Sequence, residues 1–142
     1  FQGPDMAANA VACCLAFDDE MVELRKQNPE WALNIGCGVD VGEVVMGAMG
    51  SKSRMDYTVL GDHVNIAARL CSHATPRQTL VTERVYEQVK ALDRFVLDPL
   101  EPIHVKGKSA ALMVYAVRRA DTAEAGRQAA GQSEAGTDQP SV

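Results

Sequence analysis

The hydrophobic period of this chain switches from helical to extended and back, and that switch constrains the fold more than any other feature. From Asp5 to about Gln27, the residues Met6, Ala10, Cys13, Cys14, Phe17 and Met21 recur at helical spacing. With Asp5 as N-cap and Lys26 near the end, they predict one amphipathic helix. Asn28-Pro29 breaks it. Leu33, Ile35, Cys37, Val39 and Val41 then alternate with Asn34, Gly36, Gly38 and Asp40, the period of a half-buried strand. After a turn at Gly42, the run Val44 to Met49 is expected to pair with that strand as a hairpin, and Gly50-Ser51-Lys52-Ser53 closes it with turn chemistry.

A second apolar stripe, Val64, Ala67, Ala68 and Cys71, predicts a helix between Asp62 and Cys71, with Gly61 before it and Pro76 beyond. Thr79 to Val81 is a short strand. Thr82 then caps a helix carrying Val85, Val89 and Leu92. Phe95 to Leu97, Ile103 to Val105 and Leu112 to Val117 read as two or three strands, with a turn at Lys106-Gly107-Lys108-Ser109. Strands alternating with helices indicate an α/β layered domain.

With 142 residues and 46% hydrophobic content the chain is long enough for one compact domain. A net charge of −5 removes the broad basic footprint that nucleic-acid binding needs. No stretch approaches the ~20 apolar residues that cross a bilayer, and no basic-then-apolar leader opens the chain, so a soluble, cytoplasmic protein is expected. Cys13, Cys14, Cys37 and Cys71 lack CxxC spacing, which predicts buried, reduced thiols and neither a zinc site nor a redox pair. Phe1 to Pro4 reads as the remnant of an expression tag and residues 5–118 as the structured part. Residues 119–142, with almost no large apolar side chain, read as a disordered tail.

The chemistry is concentrated in Asp56-Tyr57-Thr58-Val59-Leu60-Gly61-Asp62-His63-Val64-Asn65-Ile66-Ala67-Ala68-Arg69-Leu70. Asn65 and Arg69 stand four apart, so a helix brings a carboxamide and a guanidinium to one face. The string resembles the signature of class III adenylate and guanylate cyclases. The resemblance extends through Gly42-Glu43-Val44-Val45 with Gly47 and Gly50, and through Val105-Lys106-Gly107-Lys108 with Tyr115, covering residues 6 to 118.

The resemblance implies a ferredoxin-like α+β sandwich, truncated on its N-terminal side, and a role for four residues. Asn65 would orient the ribose and Arg69 would stabilise the phosphate in the transition state. Thr58 falls where the family reads the purine, favouring adenine, and Lys106 matches a phosphate-binding lysine. Asp56 and Asp62 are not metal ligands in the family's pattern, and His63, at a helix start, reads as solvated and outside any hydrolase triad.

The family's two metal-binding aspartates lie upstream of the part this chain resembles, and Phe17-Asp18-Asp19 on a helix does not replace them. The expectation is therefore part of an adenylate cyclase that converts ATP to 3′,5′-cyclic AMP and pyrophosphate with Mg²⁺ or Mn²⁺. The intact parent would be a homodimer and the chain alone inactive. The missing strands would also leave an open sheet edge prone to oligomerisation or strand exchange. A guanylate cyclase and a non-catalytic nucleotide-sensing or dimerisation module are the alternatives, and a small α/β interaction domain with no nucleotide role is a third.

Overall fold

The computed structural model of the chain describes residues 1–104 and 111–120. Its elements are α1 (Met6–Gln27), β1 (Cys37–Val39), β2 (Val45–Ser51), β3 (Arg54–Leu60) and α2 (Asp62–His73), then β4 (Thr79–Thr82), α3 (Glu83–Val89), β5 (Phe95–Pro99) and β6 (Val114–Arg119). Four strands form a sheet in the order β1-β4-β6-β5, with β1 parallel to β4 and the other pairs antiparallel. β2 and β3 form a separate antiparallel hairpin.

The register sorts the two faces of the sheet. Successive strand residues point to opposite sides, so the row Val39, Val81, Tyr115 and the row Gly38, Leu80, Ala116 face apart. The first row meets α1 and α3, where Ala7, Ala8, Val11, Val85 and Val89 close one core with Phe95 and Val117. The second meets α2, where Leu70 packs with Leu80 and Val114. The α/β class expected from the alternating periods is what forms, as a sheet between helix layers. Val11, Leu70, Leu80, Val81, Val85, Val89 and Val114 are all fully buried, each contributing about 1.5–3 kcal/mol of transfer free energy.

Several local expectations are corrected. The segment 44–49 does not pair with the preceding strand. β2 pairs with β3 from Val45↔Leu60 to Ser51↔Arg54, closed by the two residues Lys52 and Ser53. A two-residue connection closes neighbouring strands with little loop entropy. β1 is instead held parallel by β4, with the hairpin and α2 forming the long crossover that parallel strands require. β1 is also shorter than its alternation implied, and Leu33 lies outside it, half exposed at 52%.

On α1 the buried face is Ala7, Ala8 and Val11, while Cys13 and Phe17 are exposed. The first half of this helix is apolar almost all round, so spacing alone did not select the face; small side chains allow the closest approach to the sheet. Asp5 occupies the N-cap position but its side chain caps nothing. β5 and β6 form an antiparallel pair, and across the expected turn a single bridge joins Ile103 and Leu112. The turn at 106–109 lies outside the described residues, as does the expected tail from 121 on; Arg119 ends β6, and the Ala120 amide donates to the Arg94 carbonyl at 3.0 Å.

Candidate functional site

α2 carries the two residues of interest, and its seat on the sheet follows from glycines. A Cβ at Gly38 would stand 2.5 Å from the Cys71 amide nitrogen and 2.7 Å from Leu70 Cβ, and one at Gly36 would stand 2.7 Å from Ala74 Cβ. The positions that alternate with the apolar residues of β1 are thus where the helix backbone lies directly on the strand. With Leu70 turned inward and fully buried, Asn65 and Arg69 are left on the exposed side of the helix. Neither makes a side-chain hydrogen bond or ion pair among the described residues.

Thr58 is half-buried on β3 and pairs across the hairpin with Gly47. A Cβ at Gly47 would meet nothing within 4 Å, so the space beside the threonine hydroxyl is open. Gly61 alone separates β3 from α2, and its φ of 153° suits glycine. Thr58, Asn65 and Arg69 therefore sit on consecutive elements joined by one residue. Lys106 lies outside the described residues.

The structure assigns His63 a role that the sequence did not reveal. Rather than being solvated, its Nδ1 lies 2.7 Å from Asp40 Oδ2, and the Asp40 side chain is 1% exposed. The Thr82 hydroxyl donates to the other oxygen, Oδ1, at 2.6 Å. Thr82 does hold the N-cap position of α3 as expected, but its side chain is turned to Asp40 instead of to the helix. Arg84 Nη1 lies 3.1 and 3.3 Å from the two ring nitrogens of His63, a position over the ring face. A buried carboxylate is costly unless hydrogen-bonded, and here partners from α2 and from the start of α3 fill that need. The separation of 23 positions between Asp40 and His63 gave no spacing signal.

Other acidic residues have partners of their own. Asp56 pairs with Arg54 at 3.3 Å on the surface. Asp18 pairs with Arg77 at 3.3 Å and Asp19 with Arg119 at 3.0 Å. Among the described residues no group of three or more His, Cys, Asp or Glu side chains could hold a metal ion, and both oxygens of Asp40 are engaged. These residues do not fit a divalent-ion site.

The thiols depart from the expected burial. Cys13 and Cys71 are exposed, and Cys71 Sγ donates to the Gly36 carbonyl at 3.2 Å. Burial, with Cys37 beside it, pushes the Cys14 thiol up to about 12. An apolar cavity of about 440 Å³ opens between the start of α1, β1 and α2, against Met6, Ala7, Cys14, Val39 and Val64. None of Thr58, Asn65 or Arg69 lines it. No described helix is long and apolar enough to cross a membrane.

Known proteins resemble the chain across this same region. Residues 2–119 match the family described as the adenylate and guanylate cyclase catalytic domain. Adenylate cyclase 1 of Rhizobium meliloti is 32% identical over 134 residues, covering 87% of this chain and 20% of that protein. The adenylyl cyclase CyaB from P. aeruginosa superposes with a TM-score of 0.75 at 28% identity, over 85% of this chain and 63% of its own. The guanylyl cyclase Cya2 does so with a TM-score of 0.72 at 29% identity, over 82% and 59%. The chain spans a fifth or less of the length of the curated relatives it matches. The match runs through all the described elements, including the helix that presents Asn65 and Arg69, and the chain belongs to the adenylate and guanylate cyclase catalytic domain family.

Proposed function

We propose that this chain supplies the nucleotide-orienting part of an adenylate cyclase that converts ATP to 3′,5′-cyclic AMP and pyrophosphate. The observation that carries the reading is the exposed pair Asn65 and Arg69 on one face of α2, without side-chain partners among the described residues and one residue of linker away from the strand bearing Thr58. Cyclisation requires the ribose 3′-oxygen to be held in line with the α-phosphorus while charge grows on the phosphate oxygens. Asn65 can fix the ribose through its amide. The always-charged guanidinium of Arg69 offers planar donors to the phosphate, and a single preorganised donor of this kind is worth about 10²–10³ in rate. The Thr58 hydroxyl, beside open space, can accept from the exocyclic amine of adenine or donate to a ring nitrogen. Lys106 would add a positive charge toward the triphosphate.

Mg²⁺ or Mn²⁺ would neutralise the leaving pyrophosphate, and its ligands are placed outside the described residues. The chain alone is therefore expected to lack turnover. A homodimer of the whole protein is consistent with the hairpin, where Val45, Met55, Tyr57 and Leu60 are 51–72% exposed and β2 and β3 pack chiefly on each other. Resemblance to the guanylyl cyclase Cya2 at nearly the same level makes GTP the second reading. Cyclic nucleotide production is to be measured from ATP and from GTP with manganese, for this chain and for a longer polypeptide carrying sequence upstream of Phe1. Cyclic AMP from the longer polypeptide alone is the expected result. Cyclic GMP from GTP in its place would move the assignment to GTP, and no product from a folded longer polypeptide would favour a nucleotide-sensing module.

A further inference from the structure

We propose that Asp40, His63 and Thr82 form a clamp that fixes the rotation of α2 and so the direction in which Asn65 and Arg69 face. His63 is then a positioning residue for the reaction. Its consequence for turnover rests on the cyclase reading above; the clamp itself rests on geometry.

α2 begins without a side-chain cap from its N-cap residue. The N-cap is Gly61, which offers no side chain, and its backbone conformation is one that glycine adopts freely. The chain entering from β3 therefore does little to set the helix's rotation. Leu70 and the glycines of the sheet seat the later turns of α2, and His63 adds a restraint in the first turn. Its Nδ1–H donates to the Asp40 carboxylate at the end of β1, which the Thr82 hydroxyl at the start of α3 holds from the other side. Three elements thereby meet on one buried carboxylate.

The imidazole is also pinned face to face. A Cβ built on Gly42 would stand 2.1 Å from His63 Cδ2 and Nε2, so only glycine leaves room on that side, and the Arg84 guanidinium covers another face. His63 precedes Asn65 by two residues and Arg69 by six, so a rotation of the helix start moves both reacting-face side chains together. A displacement of about 1 Å at such groups can cost about 10²-fold in rate.

Two readouts test this. In this chain, amide hydrogen exchange is measured across residues 62–66 for wild type, His63→Ala, His63→Asn and Gly42→Ala. Asparagine places its amide nitrogen where Nδ1 stood and keeps the donor. His63→Ala and Gly42→Ala are expected to speed exchange there by about tenfold or more, and His63→Asn by less than about threefold. In the longer polypeptide, kcat should fall about 10–100-fold in His63→Ala with KM for ATP within about threefold, and His63→Asn should restore it. Unchanged exchange in His63→Ala, wild-type kcat in that variant, or no rescue by asparagine would each overturn the clamp. A wild-type longer polypeptide that makes no cyclic nucleotide overturns the cyclase reading instead, and the exchange data then decide the clamp alone.

Discussion

Replacing Gly38 with alanine puts a methyl group where α2 already rests on the sheet. The new Cβ would stand 2.5 Å from the Cys71 amide nitrogen and 2.7 Å from Leu70 Cβ, and would press on the Ala67 carbonyl. Two of these three are backbone atoms of the helix, so no side chain can swing away to relieve them. Restoring ordinary contact requires α2 to retreat by about 1 Å, and overpacking of this kind costs roughly 1–3 kcal/mol. For a domain of this size each kcal/mol lowers Tm by roughly 3–4 °C. Urea unfolding of this chain followed by circular dichroism measures the loss, with Gly47→Ala as control, since a Cβ there meets nothing within 4 Å. A Gly38→Ala protein within about 0.5 kcal/mol of wild type would refute the seating of α2 on β1 through this glycine.

Gly47→Val should leave stability within about 1 kcal/mol, because the site is open and valine suits a strand, yet reduce nucleotide use by filling the space beside Thr58; steady-state KM for ATP in the longer polypeptide checks it. Cys14, with its thiol pushed up to about 12, should have a thiolate fraction at pH 8 on the order of a thousandfold below that of an ordinary thiol. Iodoacetamide labelling read by mass spectrometry should therefore modify the exposed Cys13 and Cys71 first. Leu70→Ala, at a fully buried position between α2 and the sheet, should cost about 2–5 kcal/mol in the same urea experiment.

The helices and most strands were legible because their apolar periods were. Val85 and Val89 on α3, and the alternation through Cys37 and Val39, pointed inward in the sequence and do so in the structure. Pairing was not legible. Nothing in the alternation of β1 revealed that its partner would be β4, forty-two residues on at Cys37↔Thr79, rather than the next strand along. The glycines of β1 read as a polar face and prove to be the floor under α2. In the site, the helix spacing of Asn65 and Arg69 was visible from local sequence, since a helix alone sets their common face. The Asp40–His63–Thr82 network was invisible, because it joins three elements that only the folded sheet brings together. A lone histidine at a helix start carries no local mark of the carboxylate it will meet.

Arg69→Ala and Asn65→Ala, introduced singly into the longer polypeptide, test the central claim most directly. Both side chains are exposed and lack partners among the described residues, so neither change should disturb folding. With unfolding midpoints unchanged, production of cyclic AMP from ATP and manganese is expected to fall by about 10² or more in each variant. A folded Arg69→Ala protein that retains wild-type turnover would contradict the assignment of this face of α2 to the nucleotide.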